Sequence, residues 1–368
     1  MSDPVTSDRL VTAGRVSTET RLTRLNEPFV TESGAVIEAP TIAYRTWGTL
    51  AEDGSNAVLV CHALTGSADA DSWWPGLIGP DAPLDPARDF IVCSNVIGGC
   101  YGSSGPYTPG DHGGRLGLDF PEVTVRDMVQ AQKRLLDTLG VQHLQLVIGP
   151  SLGGMQTLEW AASFPDFVSA VAPIGVSGRH SAWCIGVGES QRAAIAADPN
   201  WRDGRYDDSG RPEQGLAAAR MMAMIMYRSW QNFEERFERK PEQAQDFDVS
   251  SYLQYQGRKL VDRFDAASYY RLTQAMDSHD LGRGRGGDYL EVLAGIRNPA
   301  LIVAVTSDVL YPPREQQTLA EHLPAATYRE LDSAHGHDGF LIDLEPLAEM
   351  IAAFRSGDDA AVAACGTG

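Results

Sequence analysis

Cysteine is scarce and odd in number. The 368 residues hold five (Cys61, Cys93, Cys100, Cys184 and Cys365), with no C-x-x-C pair and no metal-ligand spacing. A disulfide framework and a zinc module are thereby excluded as organising devices, and reduced thiols are expected. Long apolar runs are also missing, since none approaches the ~18 to 20 residues that a membrane helix needs. Basic side chains are outnumbered, 30 Lys and Arg against 49 Asp and Glu, for a formal net charge of −19. Nucleic acid and anionic membrane are therefore excluded as main partners, because both reward clustered cations. A small anion stays open, because a few local arginines can hold one against the global field. Met1–Leu10 is polar and has neither the basic nor the apolar region of a signal peptide. With the reduced thiols, this predicts a cytoplasmic location.

The chain is longer than a usual domain, so one large core with a sizeable insertion is expected. Short, β-branched apolar runs at Ala57–Cys61, Phe90–Cys93, Leu144–Ile148, Val168–Ile174 and Leu301–Thr306 read as strands buried on both faces. Ala35–Trp47 reads as antiparallel strands broken at Pro40. Helical periodicity covers Val125–Leu139, with Gly140 as its C-cap, then Ser151–Ala162, Pro312–Leu323 and Glu345–Phe354. The tail after Ser356 is small and polar and is expected to fray. From about His180 to Asn298 the alternation stops. Helices are predicted there around Ser190–Ala197, Gly215–Arg236, Ser250–Phe264 and Ala266–Met276. The predicted organisation is an α/β core in two parts, 1–179 and 299–368, with a mostly parallel central sheet and a helical lid, 180–298, inserted between them.

The strongest local signal is Leu146–Gly154, LVIGPSLGG, a G-x-S-x-G match between an apolar strand and an amphipathic helix. Glycines flank the serine because side chains there would strike neighbouring backbone, and the helix N-terminus lends its positive dipole end to a developing oxyanion. Ser151 is the candidate nucleophile of an α/β-hydrolase fold. Its partners should follow in the order acid, then histidine. Asp308 comes directly after the strand LIVAVTS, and Ala334-His335-Gly336-His337-Asp338-Gly339 offers two competing bases, His335 and His337. His62, His112, His143, His180, His279 and His322 lack the order or context and read as surface or hydrogen-bonded structural histidines. The oxyanion donors should be the backbone N–H of Leu152 and one from the loop Cys61–Gly66, where Leu64 is the candidate.

Within the helical stretch, Arg220 sits among Ala and Met, with Tyr227 and Arg228 on the same predicted face. Such a guanidinium either joins a structural ion pair or binds an anionic substrate group. Gly282–Gly287, GRGRGG, follows no strand and is no dinucleotide fingerprint. It reads as a flexible lid connection, with contact to a CoA phosphate as the lesser alternative.

Taken together, CHALTG at Cys61–Gly66, NVIGGCYGSSGP at Asn95–Pro106, GPSLGGMQTLEWA at Gly149–Ala161, SYLQYQGRKLVDRFDAASY at Ser251–Tyr269, SHDLGRGRGG at Ser278–Gly287, TSDVLYPP at Thr306–Pro313 and GHDGFL at Gly336–Leu341 closely resemble the homoserine O-acetyltransferase family of methionine biosynthesis. The resemblance implies Ser151 as nucleophile, Asp308 as acid and His337 as base, with Arg220 and Asp338 binding substrate. It implies acetyl-CoA and L-homoserine as substrates, no metal or other cofactor, a ping-pong acyl-enzyme route and a homodimer formed through the lid. Succinyl-using members of the family resemble one another in an arginine two residues after the acid. This chain has Leu310 there, which favours acetyl, since an unpaired buried carboxylate is costly. The alternatives are a homoserine or serine O-succinyltransferase and, from another class, a carboxylic-ester hydrolase.

Overall fold

All five apolar runs form strands in the structure, a computed structural model that describes residues 16–110, 114–239, 241–243 and 246–357. The main sheet has eight strands, numbered here in chain order. They are β1 (Arg21–Arg24), β2 (Thr41–Trp47), β3 (Ala57–Val60), β4 (Phe90–Ser94), β5 (Leu144–Pro150), β6 (Val171–Ile174), β7 (Ala300–Val305) and β8 (Ala326–Leu331). They lie in the order β1-β2-β4-β3-β5-β6-β7-β8. The β1–β2 and β2–β4 pairs are antiparallel and every other pair is parallel. Alternate residues feed two cores. Leu59, Val147 and Ile302 pack on one face, while Val60, Ile148 and Val303 pack on the other. A strand buried on both sides has no polar alternation to show, which is why these segments read as continuous apolar runs.

Helices longer than one turn are α1 (Val125–Thr138), α2 (Leu152–Ser163), α3 (Ala182–Ala196), α4 (Glu213–Tyr227), α5 (Trp230–Phe237), α6 (Asp248–Val261), α7 (Ala266–Asp277), α8 (Tyr289–Gly295), α9 (Pro313–His322) and α10 (Leu344–Ser356). Thr124 and Asp127 close a reciprocal capping box on α1, and Gly140 beyond its end takes φ +81°. Between β6 and β7 the chain is mainly helical, α3 to α8, with a two-stranded ribbon of Pro241–Gln243 and Asp246–Phe247.

Two sequence expectations change. The helix expected over Gly215–Arg236 is two helices, because Arg228 is extended (φ −113°, ψ 152°) and the Ser229 hydroxyl caps α5 by accepting the Asn232 N–H at 2.9 Å. The helix expected at Ser190–Ala197 starts earlier, at Ala182, behind its cap Ser181. The edge strands β1 and β8 and the helix α8 were not anticipated at all. Met1–Leu10, His112, Cys365 and the tail from 358 onward lie outside the described residues.

Candidate functional site

The elbow forms where β5 turns into α2. Ser151 stands between them with φ +56° and ψ −121°, a left-handed backbone that a residue with a Cβ holds only under constraint. The constraint is visible in its neighbours. A Cβ on Gly149 or on Gly153 would collide with the Cys61 carbonyl at the end of β3. The Ser151 N–H donates to the Ile174 carbonyl of β6 at 2.9 Å. Its hydroxyl does not cap α2, so the side chain stays available beside the helix's first-turn amides.

Asp308 follows β7 and is held on both oxygens. Oδ1 accepts the N–H groups of Leu310 (2.8 Å) and Tyr311 (2.9 Å), and Oδ2 accepts from Nδ1 of His337 at 2.6 Å. That bond calls for a proton on Nδ1, so the tautomer it selects for a neutral imidazole has its lone pair on Nε2. Nε2 is buried and has no hydrogen-bond partner among the described residues. Gly175 joins this pair to the elbow. It follows Ile174, the acceptor of the Ser151 N–H, and a Cβ added to it would lie 3.5 Å from His337 Cε1 and 3.7 Å from Asp308 Oδ2. Asp308 and His337 thus meet at the carboxyl end of the sheet, next to the elbow through Gly175, and no hydrogen bond among the described residues joins the Ser151 hydroxyl to His337 Nε2. Rings enclose the imidazole: Phe340 edge-on at 5.1 Å, Tyr311 at 5.3 Å and Tyr227 at 5.8 Å between centroids.

Of the two competing histidines, His337 reaches Asp308, while His335 accepts a bond from the Asn232 amide of α5 at 3.1 Å. His62 is a strut for the loop after β3. Its Nδ1 donates to the Ala63 carbonyl (2.8 Å), its Nε2 accepts the Val96 N–H (3.1 Å), and burial lowers its pKa to about 4. The same loop carries Leu64, and its turn closes through Gly66 N–H to Ala63, a bond that leaves the Leu64 amide out.

Arg220 projects from α4 with its guanidinium 5.4 Å from the Tyr227 ring centroid, and it forms no salt bridge among the described residues. Arg228 departs from the single-face expectation because α4 has ended, yet its Nε lies 3.2 Å from Asp338 Oδ2. Burial raises the Asp338 carboxyl above its usual range, against the opposing pull of Arg228 and Arg220. Leu310 is buried and lines a cavity beside the site with Leu64, Tyr227 and Tyr311. Among the described residues no group of three or more His, Cys, Asp or Glu side chains is placed to hold a metal.

A family model described as the alpha/beta hydrolase fold matches residues 56–343. The homoserine O-acetyltransferase of Trichormus variabilis is 55% identical over 342 residues, covering 92% of this chain and 95% of that one. The chain belongs to the homoserine O-acetyltransferase family. Among solved structures, esterase E22 has a TM-score of 0.85 at 26% identity, covering 92% of this chain and 99% of that one. The homoserine O-acetyltransferase of Staphylococcus aureus has a TM-score of 0.74 at 29% identity, covering 91% and 94%.

One family motif departs from its sequence reading. The Gly-rich segment Gly282–Gly287 is clamped rather than a flexible connection. Arg283 pairs with Glu32 (2.8 Å), and both Arg126 and Arg285 pair with the buried Glu159. Burial alone would raise the Glu159 carboxyl, but Arg285 and Arg126 outweigh it and hold the group below its usual range. Sequence reasoning also missed Gly175, Tyr311 and Phe340 as neighbours of the base. Tyr311 and Phe340 lie inside motifs singled out above, so proximity to Asp308 and His337 was the available signal.

Proposed function

We propose that this chain transfers the acetyl group of acetyl-CoA to the hydroxyl of L-homoserine, with Ser151 as the covalent carrier. The observation that carries the reading is the buried Asp308–His337 pair, its Nε2 free of other partners, beside a strained Ser151 in a chain 55% identical to a homoserine O-acetyltransferase. His337 Nε2 takes the Ser151 proton as Oγ attacks the thioester carbonyl. The Leu64 and Leu152 amides stabilise the oxyanion. CoA thiolate leaves with the proton from His337. The homoserine hydroxyl then yields its proton to His337 and attacks the acyl-enzyme, and Ser151 recovers the proton as it departs. Arg220 takes the homoserine carboxylate and Asp338 its ammonium group. Leu310 gives the acyl donor an apolar wall without a partner for a second carboxylate.

Residues 180–298 act as a lid that limits water at the acyl-enzyme, which favours transfer over the hydrolysis performed by an esterase. Met222, Ile225 and Trp230 expose apolar side chains on the helical segment, which supports pairing of two copies there. The described cysteines are buried free thiols, which supports a reducing, cytoplasmic setting. A thiol-release assay tests the reading. CoA release from acetyl-CoA should depend on L-homoserine, exceed release from succinyl-CoA, and vanish in Ser151→Ala. Homoserine-independent release at an equal rate would instead assign an ester or thioester hydrolase.

A further inference from the structure

Tyr311 touches both partners of Ser151. Its backbone N–H donates to Asp308 Oδ1 at 2.9 Å, and its ring lies 5.3 Å from the His337 ring. The side chain is fully buried, so its hydroxyl needs an acceptor inside the protein. That acceptor is His180 Nδ1 at 3.1 Å. His180 is itself fixed: its backbone N–H donates to the His279 carbonyl at 2.9 Å, and its Nε2 lies 3.7 Å from Asp277 Oδ1. Asp277, at the end of α7, is tied through Oδ2 to Arg192 Nη2 of α3 at 2.5 Å. Burial lowers the His180 pKa to about 3, so the ring is neutral at working pH and Nδ1 can accept. Bonded contact therefore runs from His180 through Tyr311 to the base, while Asp277 stands 3.7 Å from His180 with no hydrogen bond between them.

We infer that the Tyr311 hydroxyl, held by His180, positions the His337 imidazole through the Tyr311 ring that packs against it. Tyr311 is a positioning residue and takes no part in proton transfer. The inference rests on the acyl-enzyme reading above. Because His337 serves both half-reactions, loosening it should slow both equally, while homoserine binding through Arg220 and Asp338 is untouched.

Tyr311→Phe keeps the ring and removes the bond. It should lower kcat about tenfold, since small misalignments of a reacting group are costly, and leave the homoserine KM within about twofold. Single-turnover acylation of Ser151 should slow by the same factor, with rates normalised to the burst amplitude so that misfolded protein does not count. His180→Asn supplies an amide oxygen near the position of Nδ1 and should retain kcat within about twofold, whereas His180→Ala should match Tyr311→Phe. The double variant Tyr311→Phe/His180→Ala should be no slower than either single one, because both remove the same bond. Wild-type kcat in Tyr311→Phe, multiplied losses in the double variant, or a loss in His180→Asn equal to that of Tyr311→Phe would overturn the inference. If His180→Ala does not fold, Tyr311→Phe and His180→Asn decide the matter. Loss of homoserine dependence in the wild type would sink the transferase reading instead, and the acylation burst would still test Tyr311.

Discussion

Two groups of arginines from the helical half of the chain behave in opposite ways. Arg285 has its donors engaged: Nη1 bonds Glu159 and the Leu281 carbonyl, and Nη2 bonds Glu159 and the Ser163 hydroxyl. Arg283 does the same with Glu32 and the Ser278 carbonyl. The guanidinium groups of Arg220 and Arg228 make no hydrogen bond among the described residues. Their neighbours are the Tyr227 ring and the single carboxylate Asp338. Saturated guanidinium groups lock elements together, whereas unsaturated ones keep donors that an anion can use. Composition treats the two groups alike, and only donor satisfaction separates them.

The comparison is sharpened most by Glu159→Gln. Removing one charge from a buried network with Arg126 and Arg285 should destabilise the fold by about 3 kcal/mol, read as a lower Tm, with KM and kcat per folded molecule unchanged. A variant with intact Tm and raised KM would move this cluster into the site. Next in size, Arg220→Ala should raise the homoserine KM on the order of 30-fold, the worth of a charge-assisted hydrogen bond, at an unchanged Tm. If Tm drops while KM holds, Arg220 belongs with the structural arginines.

The smallest effect separates the groups by pH. The Asp338 pKa is raised and the Glu159 pKa is lowered. On acidification Asp338 takes its proton first, so the homoserine KM should rise severalfold at a pH above the ordinary carboxylate range. The Glu159 contribution is complete above its unfolded value of 4.5 and disappears only as pH falls through the lower folded value. The Tm gap between wild type and Glu159→Gln should therefore persist at the pH where KM has already risen. Simultaneous loss of both would show that the two carboxylates titrate together.

Much of the buried scaffold was readable because strands covered on both faces must be apolar throughout. The misses follow the same physics. β8, ATYREL, is an edge strand in which only Leu331 is fully buried, and β1, RLTR, is mostly exposed, so neither shows an apolar run. The Asp308–His337 bond and the Ser151 elbow were legible because chemistry restricts residue type and order along the chain is informative. The reading of Leu64 and Leu152 as oxyanion donors rests on position alone, since a backbone amide leaves no mark on side-chain identity. The His180–Tyr311 bond spans 131 residues, and no local pattern announces such a contact. Arg228 was placed on the wrong face because the Ser229 cap divides the helix after Tyr227.

The left-handed backbone of Ser151 has a consequence for laboratory evolution. Glycine occupies φ +56° without the roughly 1 to 3 kcal/mol that a strained residue stores, so a library screened only for survival at high temperature should enrich glycine at 151 and discard the enzyme. A library screened for turnover should keep the serine. At this position thermostability and activity pull toward different residues, and a stabilisation programme for this chain has to hold 151 constant while it varies the rest.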